Sequence, residues 1–399
     1  MDRTKFLDLG KQPIANGFLH QDQFDDEFFY NLSVGFDTES CLVTHMDYVK
    51  PELMFNDEYA YRGSMSKTMV KHFACFSDYI KGHLSPVNFA RQPYSQAKVL
   101  EIGSNDGVFL KNWSPMSTFA VEPCGNFAAE TNQQGYKTYN DFWDKDLSAK
   151  ILVEQGPMDL VFAANCMCHI PDLDEAFSAV EQILSNDGLF IFEDPSLVDM
   201  INLNSYDQIY DEHPHIFSVT ALQNILKRSG LTIVRVDNIK VHGGSNRIWV
   251  KKLTQAVPDD SVSRNLQLEQ ILQLDQIATF EKFAERVRQS KQDLVTFLSR
   301  CREHNQKVIS YGATSKSTTI FNYCEIGTDL IRHITDTTPE KQSKYSPGVH
   351  IPIVPPEVGF DDTVDFAFLG AWNFADEIRN KEKNFKGKFI THVPVVRLV

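Results

Sequence analysis

Between Ala97 and Glu193 short apolar runs alternate with helical segments, and this alternation narrows the fold more than any other feature of the chain. The runs are Lys98-Val99-Leu100-Glu101-Ile102-Gly103, Thr118-Phe119-Ala120-Val121-Glu122, Met158-Asp159-Leu160-Val161-Phe162-Ala163 and Gly188-Leu189-Phe190-Ile191-Phe192-Glu193. Runs so short and apolar suit strands buried on both faces, with the segments between them crossing back as helices over a parallel sheet. A second strand-to-helix unit opens at Lys307-Val308-Ile309-Ser310-Tyr311-Gly312, and Phe366-Ala367-Phe368-Leu369 reads as a later strand. At 399 residues the chain exceeds what one hydrophobic core usually organises. An α/β protein of three parts is expected, with bounds at 1–85, 86–205 and 206–399. Residues 1 to about 55 mix β-like runs such as Tyr30–Phe36 with turns, and a helix is expected from about 56 to 85. Asn88 to Gln96 reads as a polar linker, and one long helical stretch is expected from about Ser263 to His304.

Glu101-Ile102-Gly103-Ser104-Asn105-Asp106-Gly107 follows the first of these strands and opens a helical segment. Glycines there let the backbone turn sharply and approach a ligand that a side chain would block. The next strand ends at Glu122, placed to accept both hydroxyl hydrogens of a ribose. The pattern E-x-G-x-x-x-G differs from the G-x-G-x-x-G of NAD enzymes and resembles motif I of Rossmann-like methyltransferases. Its carboxylates suit a sulfonium-bearing amino acid and would repel a pyrophosphate. S-adenosylmethionine is therefore the expected cofactor, held by Glu101, Gly103, Asn105, Asp106, Gly107 and Glu122, with Asn165 lining the same crevice from a later strand. The bland reading, a glycine turn without a ligand, is disfavoured by the position of Glu122.

A net charge of −14 and a pI near 5.3 exclude a broad basic surface for nucleic acid. No apolar run approaches the roughly 20 residues of a membrane span, and the amino terminus shows no export signal, so a soluble cytoplasmic protein is expected. The seven cysteines are scattered and odd in number, which suits free thiols. Cys166-x-Cys168-His169 lacks a second ligand pair, so no metal is expected there.

Tyr206-Asp207-Gln208-Ile209-Tyr210-Asp211-Glu212-His213 is dense in groups that hold or move protons. Methylating carbon requires a base that removes a proton from a carbon beside a carbonyl. His213 is the expected base, with Glu212 orienting it or raising its basicity, and with Tyr210 and His169 as donors to the enolate oxygen. Taken alone, the segment reads better as a polar helix start.

It does not stand alone. Asp57–Ser66 (DEYAYRGSMS), the EIGSNDG loop, Ala164–Asp172 (ANCMCHIPD), YDQIYDEH, His242-Gly243-Gly244-Ser245 with Arg247, Tyr311–Lys316 and Ala371–Ala375 resemble, in that order, the sugar C-methyltransferase family. Its members build 3-C-methyl branched deoxysugars on nucleotide-activated 4-ketosugars. The resemblance implies a central Rossmann-like S-adenosylmethionine methyltransferase domain, flanked by a small N-terminal α+β domain and a C-terminal α/β, Rossmann-like domain that helps hold the nucleotide sugar. It further implies catalysis by His213, Glu212, Tyr210, His169 and Tyr61, with Tyr59 as the alternative to Tyr61. Substrate contacts fall to His242, Arg247, Gly312 and Lys316, with the cations Lys316 and Arg247 facing a diphosphate or, for Arg247, solvent. The partner is a nucleotide-diphosphate keto-deoxysugar, and a monomer is expected. One departure concerns metal: the family's zinc site uses two C-x-x-C pairs, and here only Thr38-x-x-Cys41 is present, so no structural zinc is expected and apolar packing must stabilise the small domain. Two rivals are an O- or N-methyltransferase, which needs no enolising base, and a non-catalytic nucleotide-sugar-binding protein.

Overall fold

The computed structural model describes residues 3–83 and 97–399. The linker read at Asn88–Gln96 and the domain bound at 85/86 lie outside the described residues. The chain opens with an antiparallel meander of β1 (Arg3–Pro13), β2 (Phe29–Asp37) and β3 (Leu42–His45). Leu7, Leu9, Val34, Phe36 and Val43 form its buried face. That face packs on the long helix Ile277–Glu303, where the Phe280 ring lies 4.7 Å from Phe36 and 5.2 Å from Phe6. The small sheet thus shares one hydrophobic core with the carboxyl-terminal domain, and burial of large aromatic rings supplies its cohesion.

The second sheet takes β4 (Val99–Ile102), β5 (Thr118–Val121), β6 (Lys137–Tyr139), β7 (Met158–Ala164) and β8 (Leu184–Pro195) as parallel neighbours. After β9 (His215–Ile216), β10 (Leu231–Ile239) and β11 (Ser245–Lys252) complete the order β10-β11-β8-β7-β4-β5-β6. The order reverses between β4 and β7, and the crevice at such a reversal is where open α/β sheets bind ligands. Its covering helices are set by local signals. In Leu173–Ile183, Asp172 caps the amino end by accepting from Glu175 N, and Leu173, Ala176, Phe177, Val180 and Ile183 recur at helical spacing on the buried face.

Two boundaries differ from expectation. Strands β10 and β11, placed by sequence in the third part, are hydrogen-bonded into the methyltransferase sheet, so that domain continues to about residue 252 rather than 205. They join antiparallel, so they break the strand–helix alternation that marked the rest of the sheet. The helix Lys67–His83, assigned to the small domain, packs Met69, Phe73, Phe76 and Ile80 onto Val99, Phe109, Phe162 and Trp249 of that same sheet. Conversely, β9 pairs with β3 and completes the small sheet.

The third sheet has the order β14-β13-β12-β15-β16-β17, from β12 (Val308–Tyr311), β13 (Ile334–Thr335), β14 (Ile353–Val354), β15 (Phe366–Leu369), β16 (Lys388–Thr391) and β17 (Arg397–Leu398). All its pairings are parallel except β16 with β17, and its order also reverses beside its first strand. The long helical stretch is two helices, Asp260–Ile271 and Ile277–Glu303, separated by a turn in which Gln273 takes φ 53°.

Candidate active site

One cavity of ≈620 Å³ lies at the carboxyl ends of β4 and β7 and is closed by loops from all three parts of the chain. Of the expected site residues, Tyr61, Glu101, Gly103, Asn105, Asp106, Glu122, Asn165, His169, Tyr210, Glu212, His213, His242 and Lys316 line it. Gly107, Arg247 and Gly312 do not.

On one wall the glycine turn is built to admit a ligand. Gly103 has φ 72°, and a Cβ there would lie 2.7 Å from Cys166 Sγ. Glu122 accepts from Asn105 N at 2.7 Å through Oε2 and from Cys124 N at 2.9 Å through Oε1, which anchors its carboxylate at the strand end while leaving lone pairs for a diol. Gly107, at φ 78°, faces Thr131 and closes the turn from behind. A loop from the small domain covers the turn: Asn105 Oδ1 accepts from Gly63 N at 3.0 Å, Asp106 Oδ2 from Ser64 N at 3.2 Å, and Tyr61 O from Asn105 Nδ2 at 3.0 Å. Burial, with Glu122 and Asp106 nearby, raises the Glu101 carboxyl well above its usual range. Glu101 Oε2 and Asp106 Oδ1 are buried without a partner. Unsatisfied acceptors in an enclosed acidic pocket fit a cationic ligand with amino and ribose donors, as S-adenosylmethionine is.

On the opposite wall Tyr210 Oη and His213 Nε2 are 2.8 Å apart, and His213 Nδ1 lies 2.8 Å from the Gln208 carbonyl. A carbonyl only accepts, so Nδ1 carries the hydrogen and the Nε2 lone pair accepts from the Tyr210 hydroxyl at the cavity wall. Burial, with His169 and Lys316 adding to it, pulls His213 well below the usual histidine range and keeps it neutral. His169 stacks on His213 with ring centroids 5.1 Å apart, its Nε2 is buried without a partner, and burial lowers it to about 3. Glu212 does not orient His213 as expected. It accepts from Tyr59 Oη at 2.8 Å and from Asn16 Nδ2 at 2.6 Å, and the backbone carbonyl of Gln208 sets the imidazole instead. Both tyrosines of the Y-x-Y line the cavity: Tyr59 holds the carboxylate, and Tyr61 lies nearer the glycine turn. Burial and then Glu212 raise both Tyr59 and Tyr210 well above the phenol range, so both stay donors.

The carboxyl-terminal domain adds positive charge. Lys316 enters from the first turn of helix Ser315–Cys324, and burial lowers it against the pull of Asp207 and Glu212. Gly312, at φ 94° and packed on Ala371, makes the turn that delivers Thr314, Ser315 and Lys316 to the wall. Lys341, not foreseen from sequence, lines the same wall and donates to the Ala313 carbonyl at 2.7 Å. His242 sits at φ 53° with Nε2 buried and unpartnered. Arg247 departs from expectation: its guanidinium pairs with Glu193 at 2.6 Å and lies 3.4 Å from the Phe76 ring centroid, clamping helix Lys67–His83 to the sheet rather than meeting a phosphate or solvent. Trp372 Nε1 donates to Asp207 Oδ2 at 2.6 Å and ties the carboxyl-terminal domain to the segment bearing His213. Asn16, Gln208 and Lys341 carried no signal in sequence, since each acts on groups remote along the chain or through its backbone.

Residues 240–394 match the family model "C-methyltransferase C-terminal domain", residues 81–236 match "Methyltransferase domain", and residues 1–55 match "Putative zinc binding domain". Over 411 residues the chain is 29% identical to the C-methyltransferase NovU of Streptomyces niveus, covering 100% of this chain and 94% of that one. Among solved structures it is similar to the CurJ carbon methyltransferase, with TM-score 0.34 and 16% identity over 47% of this chain and 56% of that one. It is also similar to the magnesium protoporphyrin IX methyltransferase of Synechocystis PCC 6803, solved with bound S-adenosylmethionine, with TM-score 0.33 and 12% identity over 46% of this chain and 80% of that one. Fold and site thus define an S-adenosylmethionine-dependent methyltransferase. In chain order the matched models are a zinc-binding-type domain, a methyltransferase domain and a C-methyltransferase carboxyl-terminal domain, and in this the chain resembles C-methyltransferases. Its first domain does not fit the metal: among the described residues no group of three Cys, His, Asp or Glu ligands occurs there, and Cys41 packs against the shared core.

Proposed function

We propose that the enzyme methylates C3 of a nucleotide-linked 4-keto-6-deoxysugar. The observation that carries this reading is the hydrogen-bonded Tyr210–His213 pair, which lines the same cavity as the Glu122 turn. Glu101, Gly103, Asn105, Asp106, Glu122 and Asn165 would hold S-adenosylmethionine, which would supply an electrophilic methyl to a sugar carbon made nucleophilic by loss of its proton. His213 Nε2 takes that proton, and the Gln208 carbonyl steadies the imidazolium through Nδ1–H. The Tyr210 hydroxyl leaves Nε2 for the sugar's keto oxygen and, with His169, donates to it as negative charge develops. Tyr59 and Asn16 hold Glu212 against the sugar hydroxyls. Lys316, Lys341 and His242 hold the diphosphate end, and the cavity positions both reactants. Incubation of the protein in deuterium oxide with such sugars, without cofactor, is expected to exchange the C3 hydrogen, and addition of S-adenosylmethionine to place a methyl on that carbon by NMR. Transfer without exchange, or a methyl at another atom, would overturn the reading.

A further inference from the structure

The sequence shows Cys166-x-Cys168-His169 without a further ligand, and the fold supplies one. Cys168, His169 and His213 each offer a ligand atom, and these atoms lie within 4.8 Å of one another. Cys168 is 1% exposed and His213 6%, while His169 opens onto the cavity and gives an ion a way in. The hydrogen bond from His213 Nδ1 to the Gln208 carbonyl is the outer-shell contact that ordinarily aims a metal-binding imidazole, and it leaves Nε2 as the ligand. His169 Nε2 is buried with no partner, so it presents a second nitrogen at no cost in hydrogen bonds.

We propose that Cys168, His169 and His213 form a binding site for a soft divalent cation of the zinc class, and that its occupancy stops methyl transfer. One sulfur and two imidazoles select zinc, cobalt or cadmium over magnesium or calcium. Three protein ligands leave a fourth position for water or for the Tyr210 oxygen. Binding is a balanced exchange without electron transfer: the Cys168 S–H bond breaks, its proton goes to solvent, and a sulfur–metal bond forms. The His169 and His213 rings stack with an interplanar angle of 24°, so in-plane coordination of one ion by both requires one ring to turn about its Cβ–Cγ bond. The metal occupies the Nε2 lone pair to which Tyr210 now donates at 2.8 Å, and deprotonation of the sugar ceases. The site stands on geometry alone, whereas the loss of turnover rests on His213 being the base.

The test titrates cobalt(II) into the metal-free full-length protein and follows the thiolate-to-cobalt charge-transfer band, with zinc inhibition of methyl transfer measured in parallel. The expected result is one cobalt per chain and inhibition by zinc. In Cys168→Ser and Cys168→Ala the affinity is expected to fall by more than about 100-fold, beyond the effect of losing an outer-shell contact. Unchanged S-adenosylmethionine affinity certifies that these variants fold, and retained methyl transfer at high zinc in them excludes chelation by the nucleotide diphosphate. No band, or a band that survives in both variants, overturns the site. A band lost in the variants, together with undiminished methyl transfer by the zinc-loaded wild type, upholds the site and removes His213 from the role of base.

Discussion

The turn after β4 and the turn after β12 are built alike. In each a glycine with positive φ, Gly103 at 72° and Gly312 at 94°, ends the first strand. In each the carboxylate that follows the next strand of the order reaches back to that turn. Glu122 accepts from Asn105 N at 2.7 Å and from Cys124 N at 2.9 Å, and Asp336 accepts from Ala313 N at 2.7 Å and from Thr338 N at 2.8 Å. What differs is charge. Glu101 and Asp106 surround the first turn, whereas Lys316 and Lys341 stand at the second. One backbone device thus frames two cradles, carboxyl-lined at one end of the cavity and ammonium-lined at the other, and side chains alone set the difference.

The comparison breaks most severely where the two units meet. His213→Asn is expected to lower methyl transfer by about 10²–10⁴-fold while leaving S-adenosylmethionine affinity unchanged by calorimetry. A parallel loss of cofactor binding would place His213 in the first cradle instead. Glu122→Ala removes the carboxylate of the first unit only. With hydrogen bonds to charged groups worth about 1.5–3 kcal/mol, cofactor affinity is expected to fall by about 10–100-fold with nucleotide-sugar affinity intact. Lys316→Met is the converse: the KM for nucleotide sugar rises by about 10-fold and that for S-adenosylmethionine stays put. If both constants move together in either variant, the two cradles are not separate.

The smallest effect belongs to the small domain, which has neither cradle. His45 is buried, faces His215 and Arg3, and is lowered by burial to about 3. The unfolded chain takes up a proton there below about pH 6.5 and the folded chain does not, so stability is present above that pH and is lost as pH falls toward 3. Denaturant unfolding is expected to show about 1 kcal/mol less stability from this residue at pH 5.5 than at pH 6.5, a difference absent in His45→Gln. Equal slopes in the two proteins would show that His45 is hydrated.

Much of the first cradle is legible in sequence because its parts are local: a strand, a glycine turn, and a carboxylate one strand later. The second was half legible. Gly312 and Lys316 stand in one short run, but Asp336 and Lys341 reach that turn only through parallel pairing of β12 with β13. Arg247 misled for the opposite reason. Its motif pointed to a ligand, and the antiparallel pairing of β11 with β8 set it opposite Glu193.

Residue order therefore settled which segments turn, which bury both faces, and which histidine stands among acids and phenols, since backbone conformation and burial periodicity act over a few residues. The partners were left to the tertiary structure. Asn16 and Tyr59 meet Glu212, and Cys168 meets His213, because sheets joined across long stretches of chain bring buried polar groups together around one cavity. There, what an ionisable side chain does follows from which neighbours compensate its lost hydration.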